Sequence, residues 1–402
     1  MKALQGIRVL DLSQFLSGPR ATQILADLGA EVIKIEQPGI GEGLRILVML
    51  APGSDRILSI MNRNKLGMTL NLRSPRGHEI LKELVGKSDV LVENFTPGTM
   101  AKYGLDYPSL KKINPRIIYG TITGFGQTGP RSACPAFDII GQATGGIMAA
   151  NRQPDRVPGT FMADLTSGAY LALGIILSLF HRERTGQGQL VDVSMQDVMY
   201  SQNFPAMSRR ALLEVRNDIL NQAGINPESL MTEIERPVPF WRPYKAKNGY
   251  VAIVALTDAQ WRRMMNAIGR PDLAEDERLS NTLARFINST LSIGVMEAWT
   301  SQRTVQEIVE ILDRAQIPCG PVQDSEALLT DPQLQSRGML AQVPHPSYQR
   351  VQVPGFPIQF SETPAVLETA APELGRDTTK ILREFLSKTP EEIEGLREEG
   401  VI

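Results

Sequence analysis

The segment Ile7-Arg-Val-Leu-Asp-Leu12, followed after one helix-forming stretch by Glu31-Val-Ile-Lys-Ile-Glu36, decides the fold of this chain. Both runs are short, mostly apolar and bounded by turn-forming residues, which predicts buried strands. Between them the apolar residues of Ala21–Leu28 have helical spacing, and Gly29 closes that helix. Strand, helix and strand in this order form a βαβ unit, which predicts a parallel sheet.

The turns that follow these two strands are the first candidate ligand sites, because parallel sheets bind ligands at the C-terminal ends of their strands. They lie near Leu16–Gly18 and within Gln37–Gly43. Strands and helices keep alternating through the first half of the chain, which predicts a doubly wound α/β domain. Further strands are predicted at Met68–Leu72, Asp89–Glu93, Ile117–Thr123 and Leu190–Ser194, helices from Ser74 and in pieces over Met100–Leu110, and a loop at Gly39–Asp55.

The second half of the chain predicts a smaller α+β unit. A helical connector is predicted at Met195–Leu220, a proline-rich extended stretch at Arg236–Pro243, a strand at Gly249–Leu256, helices at Asp258–Ile268 and Thr304–Gln316, a loop-rich segment at Asp331–Pro372, and two final helices at Thr378–Leu386 and Pro390–Glu398. We therefore predict a large domain over residues 1–205, a linker over 206–228, a small domain over 229–330, and a linker with a return to the large domain over 331–402.

Composition excludes several classes of protein. The 402 residues are 42% hydrophobic and 21% charged with a net charge of -2, as in ordinary globular proteins without a general attraction to nucleic acid or membrane. The cysteines Cys134 and Cys319 are far apart, and the three histidines are not near one another, so neither a disulfide framework nor a metal site is predicted. No signal peptide is apparent and the longest apolar run, Ala169–Phe180, is too short to span a bilayer, which predicts a cytoplasmic protein.

A glycine-rich string, Gly124-Phe-Gly-Gln-Thr-Gly129, follows a predicted strand and matches G-x-G-x-x-G. A dinucleotide site also needs a helix that begins at this string and holds the pyrophosphate at its N-terminus. Here Pro130 follows at once and no helix pattern starts there. We therefore predict a surface loop and not a nucleotide site.

One carboxylate, Asp164, stands at the start of a helix that is apolar on nearly every side. Such a helix is predicted to be buried. The free N–H groups and the dipole of a helix N-terminus stabilise negative charge, so Asp164 is expected to be ionised. A carboxylate in this place is either a helix cap or a nucleophile, and its neighbours in sequence leave both open.

Seven separated strings resemble, in order, the class III CoA-transferases, the CaiB/BaiF-like group of formyl-CoA transferase and carnitine CoA-transferase. They are Leu4-Gln-Gly-Ile-Arg-Val-Leu-Asp11, Asp27-Leu-Gly-Ala-Glu-Val-Ile-Lys-Ile-Glu36, Asn62-Arg-Asn-Lys-Leu-Gly-Met-Thr-Leu-Asn-Leu72, Val92-Glu-Asn-Phe-Thr-Pro-Gly98, His181-Arg-Glu-Arg-Thr-Gly-Gln-Gly-Gln189, Ile317-Pro-Cys-Gly-Pro-Val322 and Val353-Pro-Gly-Phe-Pro357. The resemblance implies a Rossmann-like large domain built from both chain ends, a smaller inserted α+β domain, and two chains interlocked as a homodimer.

The resemblance also implies an activity. CoA moves from an acyl-CoA donor, for example succinyl-CoA, to a free carboxylic acid through a covalent aspartyl anhydride and an aspartyl-CoA thioester. The family nucleophile falls on Asp164, and Asp138 falls on an acidic or polar neighbour in the active site. The CoA thioester is a substrate, and no permanently bound cofactor is implied.

The family's CoA contacts fall on residues spread over the first domain. They are Leu16, Ser17, Gln37, Leu70, Asn71, Leu72, Arg73, Asn94, Phe95, Thr96, Lys102 and Phe137. Three of these depart from formyl-CoA transferase, which has arginine at the positions of Gln37 and Lys102 and glutamine at Leu16; Arg45 is a candidate to replace the first lost charge. Its glycine-rich loop is replaced here by Phe240, Trp241 and Tyr244, which favours a larger, partly apolar acid.

Two alternatives accompany this interpretation. An α-methylacyl-CoA racemase shares the fold, but it has a histidine at the position of Phe137, and no histidine is near it here. A structural or half-active subunit of a heteromeric CoA-transferase is the second alternative, because the altered phosphate positions are compatible with it.

Overall fold

The computed structural model describes residues 2–49, 55–151, 154–204, 206–208 and 241–402. The chain divides into two compact units, Met1–Arg210 with Gln333–Ile402, and Ala211–Pro332. Most of the predicted linker 206–228, and the first part of the predicted small domain, lie outside the described residues. The exact domain boundaries therefore stay a prediction.

The first unit contains a six-stranded parallel sheet in the order β3-β2-β1-β4-β5-β6. Its strands are β1 Arg8–Asp11, β2 Glu31–Glu36, β3 Lys65–Thr69, β4 Val90–Glu93, β5 Ile118–Thr123 and β6 Leu190–Ser194. The predicted α/β class with a parallel sheet is confirmed. The strand order reverses between β1 and β4, and in sheets of this kind ligands bind beyond the strand ends at such a reversal.

Helices cover both faces of this sheet. In the first unit they are α1 Ser17–Asp27, α2 Gly43–Met49, α3 Asp55–Asn62, α4 Pro75–Val85, α5 Thr99–Lys102, α6 Tyr107–Ile113, α7 Asp138–Thr144, α8 Ile147–Ala150, α9 Met162–Thr185 and α10 Met195–Gln202. Successive strand residues point to opposite faces, so Val9 joins the core under α1 and α9, whereas Leu10 joins the core under α4.

The C-terminal segment belongs to the same unit as the sheet. Its two helices, Thr378–Leu386 and Pro390–Glu398, have the predicted bounds and place Ile381 and Ile393 in the core with Leu10. Ahead of them, the Asn64 side chain accepts hydrogen bonds from the backbone N–H groups of Glu368 and Thr369 at 2.8 and 3.1 Å. The large unit is thus built from both chain ends.

Four predictions of local structure were wrong. Helix α1 begins at Ser17 instead of Ala21, because a proline is tolerated in the first turn. Strand β3 starts at Lys65, whose buried ammonium group binds Asp11, and not at Met68. The predicted loop 39–55 contains α2 and the start of α3. The predicted loop-rich segment 331–372 contains a short helix, Pro332–Ser336, and an antiparallel hairpin of Leu340–His345 with Gln349–Pro354.

The second unit has an antiparallel sheet of Trp241–Ala246, Gly249–Val254 and Cys319–Pro321. Its helices are Asp258–Ala267, Pro271–Ala274, Thr282–Ile287, Ser289–Thr300, Val305–Arg314 and Ser325–Leu329. Tyr244 is 2% exposed in the core of this unit, so its side chain packs inside the unit and does not support the interpretation of a larger acid. Trp241 is 66% exposed, and Phe240 lies outside the described residues.

Helix α9 differs from the expected fully buried helix. One face packs on β5 and β6 and another on α1, but Leu173, Leu177 and Phe180 are more than half exposed at 52%, 58% and 52%. The expectation failed because apolar side chains also occur on protein surfaces, so an apolar sequence alone does not establish burial. Within the described residues, α9 is the one helix with the length and composition to cross a membrane, but it packs on the sheet as a core helix does. A cytoplasmic location stays a prediction.

Candidate active site

A cavity of about 240 Å³ opens at the C-terminal edge of the parallel sheet, beside the reversal between β1 and β4. Its wall comes from the turns after β1 and β4, the end of β5, the segment before α7, and the first turns of α9 and α10. The lining residues are Gln14, Phe15, Ser17, Asn94, Phe95, Thr96, Pro97, Ile122, Thr123, Gly124, Cys134, Pro135, Ala136, Phe137, Asp164 and Met195.

Asp164 is the one carboxylate among the described residues that line this cavity. It stands in the first turn of α9, close to the Ser17 hydroxyl. Burial and the neighbouring Asp138 carboxylate raise the pKa of Asp164 to about 7, although the Ser17 hydroxyl acts in the other direction. Asp164 was expected to be ionised, and with this pKa it is only partly ionised at neutral pH, because desolvation and a like charge act against the helix terminus.

Ser17 reaches Asp164 because α1 and α9 approach each other very closely. Gly168 lies one turn after Asp164 on the same face of α9, and a Cβ atom at Gly168 would stand 2.5 Å from the Ser17 carbonyl oxygen. Glycine inside a helix costs about 1 kcal/mol relative to alanine. This cost is offset by the close contact that positions Ser17 against the carboxylate.

Asn94 joins the turn after β1 to the turn after β4. Its side-chain oxygen accepts the Gln14 N–H at 2.8 Å, and its amide donates to the Gln14 carbonyl at 2.8 Å and to the Ser17 hydroxyl oxygen at 3.2 Å. The bond from Asn94 therefore fixes the Ser17 hydroxyl, which in turn lowers the pKa of Asp164. The two strand ends that flank the reversal are fixed to each other at the cavity.

Asp138 lies beneath the cavity wall instead of in it. It is 8% exposed, and its Oδ1 accepts the backbone N–H of Asp164 at 3.0 Å while its Oδ2 accepts the Gln142 side-chain amide at 2.7 Å. This bond satisfies one of the free N–H groups of the first turn of α9. Asp138 thus holds the start of α9 in place and raises the pKa of Asp164.

The cavity brings together six of the residues predicted for the site. These are Ser17, Asn94, Phe95, Thr96, Phe137 and Asp164. The other predicted contacts are absent from the wall that the described residues form: Leu16, Gln37, Leu70, Asn71, Leu72, Arg73 and Lys102.

Three of these absent residues have clear structural surroundings. Leu70 is 1% exposed in the core, so its side chain cannot reach a ligand. Asn71 binds the Val401 and Gly400 carbonyls through its backbone and side chain. The family resemblance placed Leu16 among the CoA contacts. Leu16 immediately precedes α1 and does not line the cavity, whereas its neighbour Phe15 does. Arg45, the candidate replacement for the charge lost at Gln37, is paired with Glu36 at 2.6 Å.

Several residues of the wall were not predicted from the sequence, including Phe15, Thr123, Cys134 and Met195. Thr123 and Met195 follow from the rule that sites lie at strand ends, since they end β5 and begin α10. The glycine string Gly124–Gly129 is a loop without a following helix, as predicted, but Gly124 is buried and lines the cavity instead of lying on the surface.

Comparison with known proteins agrees with this fold and identifies the family. The family model of CoA-transferase family III matches residues 4–378. The chain is 35% identical to a formyl-CoA:oxalate CoA-transferase of Streptomyces coelicolor over 100% of this chain and 99% of that one. It is 32% identical to an enzyme of the same name from Afipia carboxidovorans, over 100% and 98%.

Solved structures give the same result. A CAIB/BAIF family protein from Brucella suis has 31% identity and a TM-score of 0.77 over 96% of this chain and 99% of that chain. A Mycobacterium tuberculosis protein has 28% identity and a TM-score of 0.78 over 94% and 98%. A strand-edge cavity with one partly buried aspartate, a parallel sheet in a unit built from both chain ends, and a match along nearly the whole sequence lead to one assignment: the chain belongs to CoA-transferase family III and is an enzyme of that kind.

Proposed function

We propose that this enzyme moves CoA from an acyl-CoA donor to a free carboxylic acid, with Asp164 as the nucleophile. The observation that carries the proposal is the position of Asp164, whose partly buried carboxylate lies at a cavity of about 240 Å³ with apolar side chains in its wall. Such surroundings limit water, which would otherwise hydrolyse an acyl-aspartate. The family resemblance gives succinyl-CoA only as an example of a donor.

The reaction takes place in two matched halves. A carboxylate oxygen of Asp164 attacks the thioester carbonyl carbon, the C–S bond breaks, and CoA leaves as thiolate with a mixed anhydride on the enzyme. The thiolate attacks the aspartyl carbonyl, which releases the donor acid and leaves an aspartyl-CoA thioester. The acceptor carboxylate then attacks this thioester, and the released thiolate attacks the acceptor carbonyl of the new anhydride. The products are the new acyl-CoA and free Asp164.

Trapping of the intermediate tests the mechanism. The enzyme is incubated with an acyl-CoA and hydroxylamine, and we expect an aspartyl hydroxamate on the peptide that contains Asp164, measured by mass spectrometry. Asp164→Asn keeps the size of the side chain and should abolish both label and transfer. Asp197→Asn is the matched control, because Asp197 stands in the first turn of α10 but does not line the cavity. Full transfer by Asp164→Asn would contradict the proposal.

The racemase alternative receives no support from the cavity. None of the described lining residues is a histidine, and Phe137 has no group that exchanges protons. Deuterium uptake at the α-carbon of an acyl-CoA in D2O, without any acceptor acid, would favour the racemase. We expect none. Activity of the purified chain alone would argue against the half-active subunit of a heteromeric enzyme.

Binding of the CoA nucleotide is proposed to involve the segment Leu70–Arg73 and Lys102, both outside the cavity wall. Arg73 and Lys102 are exposed and offer charges for the phosphates of CoA. Leu70 would take part only through its backbone. Arg73→Ala and Lys102→Ala should raise the KM for acyl-CoA and leave the KM for the free acid unchanged.

The active form is proposed to be an interlocked homodimer. The exposed apolar side chains of Tyr170, Leu173, Leu177 and Phe180 lie along α9 and offer a surface that a second copy would cover. Light scattering should give twice the mass of one chain. Leu177→Glu should lower that mass, whereas a monomeric wild-type protein would contradict the proposal.

A further inference from the structure

The turn between β1 and α1 holds an aromatic residue in an unfavourable conformation. Phe15 has φ of 60°, in the left-handed region where glycine and asparagine are the usual residues. Such a conformation costs about 1–3 kcal/mol and persists only where its surroundings enforce it. A glycine would make the same turn without strain, so the turn alone does not explain the aromatic ring.

Glu42 is the group that enforces this conformation. It is 3% exposed, and its Oε2 accepts the Phe15 N–H at 2.9 Å and the Leu44 N–H at 2.8 Å. The neighbouring Gly43 lies directly against the ring, since a Cβ atom there would stand 2.3 Å from Phe15 Cζ. Glu42 and Gly43, which follow β2, therefore fix the backbone and the ring of Phe15.

The fixed ring forms part of the wall that faces the reacting group. Phe15 meets Phe137 edge to face, with ring centroids 5.9 Å apart and planes at 84°. Both rings line the cavity that contains Asp164, together with the apolar side chains of Ile122 and Met195. Phe137 immediately precedes Asp138, which binds the Asp164 backbone. The ring pair is thus tied to the same framework as the carboxylate.

The charges of the residues that line the cavity also restrict which acyl groups it accepts. None of the described residues that line the cavity is a lysine, arginine or histidine, and its one charged group is the Asp164 carboxylate. A second carboxylate on the acyl group would meet no cation there and would be repelled by an ionised Asp164.

We propose that Phe15, positioned by Glu42, sets the acyl specificity of this site, and that the acyl group it selects is small, uncharged and apolar. The inference rests on the proposed CoA transfer at Asp164. It narrows the substrates to monocarboxylic acids with short aliphatic chains, in contrast to dicarboxylic acids such as succinate or oxalate.

Isotope exchange between an acyl-CoA and its own labelled free acid tests this specificity, because donor and acceptor then carry the same acyl group. The panel contains isobutyrate, benzoate, succinate and oxalate, each with its CoA thioester. For the wild-type enzyme we expect kcat/KM for isobutyrate to exceed that for succinate and oxalate by about tenfold or more. Exchange of succinate or oxalate as fast as isobutyrate would overturn the inference.

Substitutions at Phe15 and Glu42 test the residues themselves. Phe15→Ala should raise the benzoate-to-isobutyrate ratio about tenfold, and Phe15→Gly, which also removes the strain, should do the same in a protein at least as stable. Glu42→Leu should shift the ratio in the same direction, and Glu42→Gln, which keeps an acceptor oxygen, should restore the wild-type ratio. Phe360→Ala is the control, since Phe360 pairs with Phe356 and does not line the cavity. An unchanged ratio in both Phe15 variants would refute the inference.

Trapping at Asp164 separates the two proposals. A hydroxamate on Asp164 together with unchanged acyl ratios would refute the role of Phe15 and leave the transferase mechanism standing. Neither hydroxamate nor exchange with any acid of the panel would refute the mechanism, and the specificity with it.

Discussion

The ionisation of Asp164 gives a quantitative prediction for the pH dependence of the first chemical step. Only the carboxylate form attacks a thioester, and burial together with Asp138 raises its pKa to about 7. A group with this pKa is ionised in about a tenth of the molecules at pH 6 and about nine tenths at pH 8. The value of kcat/KM for the acyl-CoA should therefore rise about tenfold over this range and then level off.

The assay must separate Asp164 from a second buried acid near the cavity. Burial raises the pKa of Glu93 to about 7 as well, although its bonds to Thr121 and to the Phe95 N–H oppose this shift. Stopped-flow measurement of thiol release at several pH values gives the midpoint of the profile. Glu93→Gln keeps an acceptor for the Phe95 N–H, whose bond to Glu93 is 2.8 Å, and should leave the midpoint unchanged.

Asp138→Asn identifies the cause of the shift. The substitution keeps the side-chain oxygen that accepts the Asp164 N–H but removes the negative charge that disfavours ionisation of Asp164. The midpoint should move to lower pH, because the carboxylate form becomes easier to reach, and the rate at low pH should rise relative to the plateau. A midpoint that moves in Glu93→Gln but not in Asp138→Asn would refute the assignment to Asp164.

Three further predictions concern the framework around the cavity. Arg63→Leu should lower the free energy of unfolding by about 3–5 kcal/mol in urea denaturation, because it leaves the buried Asp27 without its partner at 2.7 Å. Gly168→Ala should destabilise the protein by about 1–3 kcal/mol and slow transfer, because the added methyl group meets the Ser17 backbone. Alkylation of Cys134, which lines the cavity, should block transfer, with protection by acyl-CoA and resistance of the Cys134→Ser variant as the checks.

Much of the fold follows from the sequence because periodic apolar patterns determine burial. The βαβ unit, the parallel sheet and both C-terminal helices are confirmed. The start of β3 was missed because a strand that begins with lysine gives no apolar signal. Lys65 is buried because its ammonium group pairs with Asp11 at 2.9 Å and donates to Asn62 at 2.8 Å. Such a pairing joins residues far apart in sequence, which no local pattern reveals.

In the candidate site, too, some features were predictable from the sequence and others depend on contacts between distant residues. Asp164, Ser17, Asn94 and Phe137 were accessible through resemblance and through the rule that ligands bind at strand ends. The raised pKa of Asp164 was not, because it depends on the distance to a second carboxylate and on burial that follows from helix packing. Phe15 was missed because nothing in a single sequence indicates that a phenylalanine adopts the left-handed backbone conformation.

The strings that carry the family resemblance turn out to support the site more than to form it. Asp11 is fully buried, and although burial alone would raise its pKa, Lys34 and Lys65 hold that pKa well below its usual range. The same two lysines bind the ends of the following turn, since Lys34 donates to the Ser13 carbonyl and Lys65 donates to the Pro19 carbonyl.

This buried scaffold holds both ends of the turn between β1 and α1. Ser13 and Pro19 are held by buried lysines, whereas Phe15 and Leu16 between them are not part of any shared string. The scaffold lies in the strings that identify the family, and in our proposal Phe15 selects the acid. The exchange ratios of the Phe15 variants are therefore the direct measure of which acids this chain accepts.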